Sequence, residues 1–179
     1  MIEYLGIDHG LAKPLGYVAQ YFQLMEGVTE DAISHLLSPG HKIHARRSAV
    51  LAEEITSYSA KLRILSKLAK EHADKDSKAD YLLACDFLEK ANALRNKVFH
   101  SKQFAAYKSG DRRDIKTRKG TVETITAEQI LGFAFDIRDA TAMIMWASER
   151  DLNRSAQGGD GSSIEKPPLR SPPSYHSHR

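Results

Sequence analysis

The stretch Thr126–Ala147, TAEQILGFAFDIRDATAMIMWA, decides the fold. Thr126 and Gln129 have the spacing of a capping box, in which each side chain bonds the other residue's backbone N–H. Behind that box, Ile130, Phe133, Ile137, Ala140, Ile144 and Ala147 step 3-4-3-4-3, the period of a helix with one apolar face. The pattern predicts a helix over about 127–150 that must bury this face against other helices. Met143, Met145 and Trp146 widen the face and point to core or subunit contact.

The same period recurs upstream. Leu51, Ile55, Tyr58, Leu62, Leu65 and Ala69 step 4-3-4-3-4 and predict a long helix over about 41–73. Leu15, Val18, Phe22, Met25, Ile33 and Leu36 mark a first helix over about 14–37, bracketed by Pro14 and Pro39-Gly40. The polar run His72–Ser77 predicts a turn, with Ser77 and Asp80 as a capping pair. A third helix follows over about 77–101, with Leu83, Phe87, Ala91, Leu94 and Val98 as its buried face. Cys85 falls one position past this stripe and reads as structural.

Between the third and fourth helices, residues 102–125 lose this period. Gly110 and Gly120 punctuate them, and Val122, Thr124 and Thr126 alternate with other residues, which predicts a loop or a short β-hairpin. The expected fold class is therefore all-α, a four-helix bundle with a short insert before the last helix. Residues 1–152 form the expected domain. From Asn153 the chain turns to Gly, Ser and Pro and holds four of the six prolines, so 153–179 is expected to be a disordered tail.

Composition narrows the function classes. Apolar residues make up 41% of the 179 and charged residues 27%, the balance of a globular chain. The single cysteine excludes an intrachain disulfide and fits a reducing cytoplasm. The opening MIEYLGIDHG has neither the basic nor the apolar region of a signal peptide. No apolar run nears the roughly 18 residues of a membrane span, so no membrane partner is expected. A formal charge of +3 permits nucleic acid without demanding it.

The candidate site is Arg95-Asn96-Lys97-Val98-Phe99-His100, late in the third helix. Glu89, Asn92, Asn96 and His100 step 3-4-4 and share one polar ridge, with Arg95 on its flank. Arg95 and His100 project roughly 140° apart on a straight helix, so one helix does not close both onto a single phosphate. Two copies about a two-fold axis would. A histidine exchanges protons near neutral pH, and a guanidinium clamps a phosphate. Asn96 is placed to hold the imidazole or a phosphate oxygen. These are the parts of a metal-independent, cofactor-free ribonuclease that uses the ribose 2′-OH as nucleophile. The plain alternative is an ordinary helix arginine, with a histidine whose charge suits the helix C-terminus. The spacing class, arginine and histidine with four to six residues between them, is cheap, because Arg170 and His176 in the tail also fall in it.

The string Leu94-Arg-Asn-Lys-Val-Phe-His100 resembles the signature of the HEPN superfamily: arginine, a polar residue that is often asparagine, a few mostly apolar positions, then histidine at the end of a bundle helix. The likeness spans about residues 14–150 in architecture and six residues in motif. It implies Arg95 and His100 as a catalytic pair with Asn96 beside the arginine, a homodimer with both motifs on one cleft, and RNA as substrate. It also implies a role in toxin–antitoxin or antiviral defence, with an antitoxin or nucleotidyltransferase as partner. Non-catalytic members imply the alternative of an RNA- or nucleotide-binding scaffold. One departure matters: Lys102 stands where some toxin members carry a tyrosine that the nucleotidyltransferase modifies, and the nearest tyrosine is Tyr107, which argues against regulation by that route. Ser101 also stands where many members have glycine, a difference of little weight.

The insert after the motif is basic. Over 102–119, Lys102, Lys108, Arg112, Arg113, Lys116, Arg118 and Lys119 outnumber Asp111 and Asp114 by five, seven minus two. Lys102, Arg112, Arg113, Lys116, Arg118 and Lys119 are the candidate contacts to an RNA backbone, with Phe104 and Tyr107 to stack on bases. A solvated loop is the alternative. His41 and His44 have a metal-like spacing but no Cys, Asp or Glu close in sequence, so no metal site is expected. Together with Lys42, Arg46 and Arg47 they read as an exposed helix start or a second basic patch.

Overall fold

The computed structural model describes residues 9–37, 54–55, 57–100, 102–105, 112–116 and 122–157. Among these residues four helices pack around one core: α1 (His9–Leu37), α2 (Tyr58–His72), α3 (Lys75–His100) and α4 (Ala127–Gln157). An antiparallel sheet of three strands, β1 (Lys102–Ala105), β2 (Arg112–Lys116) and β3 (Val122–Thr126), joins α3 to α4. The fold is an all-α bundle, and its insert is one strand richer than a hairpin.

The helices form a ring in which α1 touches α4 and α2, and α3 touches α4 and α2. Tyr17 meets Phe135, and His35 feels the charge of Asp151, so α1 and α4 run in the same direction. Asp76 meets Arg150 and Tyr81 meets Ser148, so α3 runs against α4. The six apolar positions of the α4 stripe are all buried, as are Val18, Phe22, Met25, Ile33 and Leu36 of α1 and Tyr58, Leu62, Leu65 and Ala69 of α2. Burial of one such large side chain stabilises the fold by about 1.5–3 kcal/mol.

Several local expectations need correction. Helix α1 begins at His9, so Pro14 lies within it. Leu11 is buried and extends the stripe back past the proline, whose missing N–H removes only one bond near the helix end. The helix expected over 41–73 is interrupted. Ile55 and Ser57 are not helical, and Ser57 is extended, its carbonyl accepting the N–H groups of Ala60 and Lys61. The break falls in Ile-Thr-Ser-Tyr-Ser, where β-branched and hydroxyl side chains weaken the helix. The part of that expectation over 41–53 lies outside the described residues.

The turn between α2 and α3 is shorter than expected, and Asp74 caps α3. The Asp76 N–H donates to Asp74 Oδ1 at 3.0 Å, whereas Ser77 is buried within the helix. Leu83 is 45% exposed, and the core face of α3 uses Tyr81, Ala84, Cys85, Phe87, Leu88 and Ala91. Helix α4 runs on through Asn153–Gln157, five residues into the expected tail. The rest of that tail lies outside the described residues. The capping box at the start of α4 forms as expected. Gln129 N–H donates to Thr126 Oγ1 at 3.1 Å, and Thr126 N–H donates to Gln129 Oε1 at 2.9 Å.

Candidate functional site

Helix α3 outlasts its neighbour. The first turn of α2 lies level with Asn92, whose Nδ2 donates to Ser59 Oγ at 2.9 Å. The last two turns of α3, which carry Arg95 and Phe99, therefore continue beyond the end of α2 and meet α1 across the bundle. There they line a groove of about 200 Å³ with Phe22, Gln23 and Glu26 of α1. Val18 and Ala19 complete it.

Arg95 is half-buried in this groove. Its guanidinium carbon lies 5.1 Å from the centroid of the Phe22 ring, and its Nη1 donates weakly to Asn96 Oδ1 at 3.4 Å. The aromatic face attracts the cation and orders a side chain that is otherwise flexible. Asn96 is exposed, as is Phe99 at 39%. His100 is the last residue of α3, and its side chain is outside the described set. Arg95 thus lies in the groove with Asn96 as its exposed chain neighbour, and His100 follows Arg95 by five residues at the end of the helix.

The polar ridge of α3 divides. Asn92 is 6% exposed and ties α3 to α2, so it is a structural residue. Glu89 belongs to a different groove between α2 and α3, opposite Arg63, Lys67 and Lys70. Cys85 lies at the base of that second groove, where burial pushes its thiol up to about 11 and keeps it protonated and unreactive.

The strand register sorts the basic insert. Lys102 pairs with Lys116, Phe104 with Asp114, and Ala105 with Arg113. Lys116 pairs with Val122, Asp114 with Thr124, Arg113 with Ile125, and Arg112 with Thr126. Directly paired residues share a face, and faces alternate along a strand. Positions 102, 104, 112 and 116 therefore share the face of Val122, which is 62% exposed. Position 113 shares the face of Ile125, which packs on the core. The Asp114 carboxylate accepts from Thr124 Oγ1 at 2.6 Å on the outward face. Arg118, Lys119 and Tyr107, with the His41–Arg47 patch, lie outside the described residues.

Sequence reasoning missed the contribution of α1. Phe22 carries a core signal, but no periodicity couples residues 22–26 to 95–99, because the two helices meet only through the packing of the whole bundle. Among the described residues, no helix is long and apolar enough to cross a membrane. Comparison with protein-family models, curated proteins and solved structures gives no match.

Proposed function

We propose that this chain is a metal-independent endoribonuclease of HEPN type, with Arg95 and His100 as its catalytic pair and Asn96 beside them. In this reading it works as a cytoplasmic homodimer, in toxin–antitoxin or antiviral defence. The observation that carries the proposal is the half-buried Arg95 guanidinium, held over Phe22 at a groove that opens beside the terminal turn ending in His100. A cation ordered before substrate arrives stabilises charge as it develops on a phosphoryl group.

The chemistry follows from the residue types. His100 removes the proton of a ribose 2′-OH, and the resulting oxygen attacks the adjacent phosphorus. Arg95 balances the added negative charge on the phosphate oxygens. The bond from phosphorus to the 5′-oxygen breaks, and that oxygen takes up a proton. The products are a 2′,3′-cyclic phosphate and a 5′-hydroxyl. His100 of the second copy is the natural proton donor, since Arg95 and His100 of one helix diverge.

Single-stranded RNA incubated with the protein tests this. Arg95→Ala and His100→Ala should each abolish cleavage while circular dichroism stays unchanged. Cleavage by both variants at the parent rate would remove the assignment.

A second reading is favoured by one observation: in the strand register, positions 102, 104, 112 and 116 share one face of the sheet with position 122. A non-catalytic module that binds RNA would use this sheet face. It would show salt-dependent binding without cleavage, and His100→Ala would change little.

A further inference from the structure

We infer that the groove beside Arg95 is a guanine-selective base subsite and that Glu26 is the residue that selects. The inference rests on the RNA reading of Arg95 and adds the identity of the base next to the phosphate. Gln23 and Glu26 lie one helical turn apart on α1, and Arg95 and Phe99 lie one turn apart on α3, facing them. The groove thus has a cation on one wall, a carboxylate and an amide on the other, and an exposed aromatic ring beside them. A nucleotide carries the complementary set: a phosphate, a polar base edge and a flat π-face. Arg95 engages Phe22 and Asn96. Glu26, on the opposite wall, is exposed.

The carboxylate decides between bases because an ionised Glu only accepts hydrogen bonds. Guanine is the one base of the four with two adjacent donors on its Watson–Crick edge, N1–H and the N2 amino group. Adenine and cytosine set their amino donor beside a bare ring nitrogen, whose lone pair repels the carboxylate. Uracil offers a single N–H between two carbonyl oxygens. Gln23 supplies the donor that the guanine O6 needs. Phe99 supplies a stacking surface that all bases accept, so it adds affinity without choice.

Titration of the intact protein with GMP, AMP, CMP and UMP, followed by amide chemical shifts, tests the subsite. GMP should bind about tenfold more tightly than the other three, with shifts centred on residues 22–26 and 95–99. Inosine monophosphate, which lacks the N2 amino group, should fall between GMP and AMP. Glu26→Gln keeps the shape of an exposed side chain and should level the four affinities. Equal affinities, no binding, or a GMP preference that survives Glu26→Gln would overturn the inference. The readout needs no cleavage. RNA cleavage with equal nucleotide affinities would refute the subsite alone. A Glu26-dependent GMP preference without cleavage would support the subsite and refute only the catalytic reading.

Discussion

The Arg95 guanidinium sits 5.1 Å above the Phe22 ring and so links the last turns of α3 to the first half of α1. This contact crosses the bundle between two helices that otherwise touch little. It fixes where the cation points. Replacing Phe22 with leucine keeps an apolar side chain in the core but removes the π-face, a loss of about 0.5–1 kcal/mol from the contact itself. Phe133→Leu, at an equally buried position of α4 outside the groove, serves as the control. Both variants should lose similar stability in urea, and only Phe22→Leu should lower the cleavage rate.

The strand register makes a second prediction about RNA. Charge reversal at Arg112 and Lys116, whose positions share the outward face, should weaken binding to single-stranded RNA and flatten its salt dependence by roughly one unit of slope per site. Reversal at Arg113, whose position faces the side of Ile125, should leave the salt slope unchanged and cost stability instead. Filter binding across a salt series, paired with thermal melts, separates the two outcomes.

Stability at the opposite end of the bundle should depend on pH. Burial raises the Asp151 carboxyl above its ordinary range, and the neighbouring Ser77 and His35 only partly offset this. The folded state then holds that proton more tightly than the unfolded chain. The ionised form costs stability above the folded value, and the cost fades as pH falls through it. Asp151→Asn should therefore raise Tm at pH 7, with a gain that shrinks toward pH 4, near the ordinary carboxyl range. His35 carries the opposite sign. Burial lowers it, so its contribution is present above its ordinary value of 6.5 and is lost as pH falls. The Asp151 charge raises His35, so Asp151→Asn also lowers His35 further, and the difference in Tm reports on Asp151 together with its coupling to His35.

Lys61 is buried against Glu30, joining α2 to α1. Glu30→Ala leaves an ammonium with no partner in a nearly dry place and should cost about 1–3 kcal/mol in a urea melt. Lys61→Met removes the charge and keeps the apolar stem, and Glu30 reaches water from its more exposed position. That variant should stay close to the parent. The asymmetry between the two melts is the test.

The bundle was legible in sequence where one signal acted alone. The α4 stripe and its Thr126–Gln129 box needed nothing beyond local spacing, and both form as read. Failures came where two local signals competed. Pro14 reads as a helix start, yet the burial of Leu11 carries α1 back to His9. The stripe from Leu51 to Ala69 runs unbroken in sequence, yet Ile55 and Ser57 are not helical, because apolar spacing does not report the weak propensity of Thr and Ser. At the site, Arg95 and Asn96 were legible as a pair on one helix. The groove was not, since Phe22, Gln23 and Glu26 reach it through the tertiary arrangement of α1 and α3. The ridge from Glu89 to His100 was one row by helical spacing, but the N-terminus of α2 covers Asn92 and leaves Asn96 open.

The most direct test of the central claim is the chemistry of the cut ends. The purified full chain should cleave single-stranded RNA in excess EDTA and leave 2′,3′-cyclic phosphate and 5′-hydroxyl termini. Arg95→Ala and His100→Ala should produce none of these ends. Intact RNA after prolonged incubation, or 3′-hydroxyl ends that depend on an added divalent ion, would contradict the account.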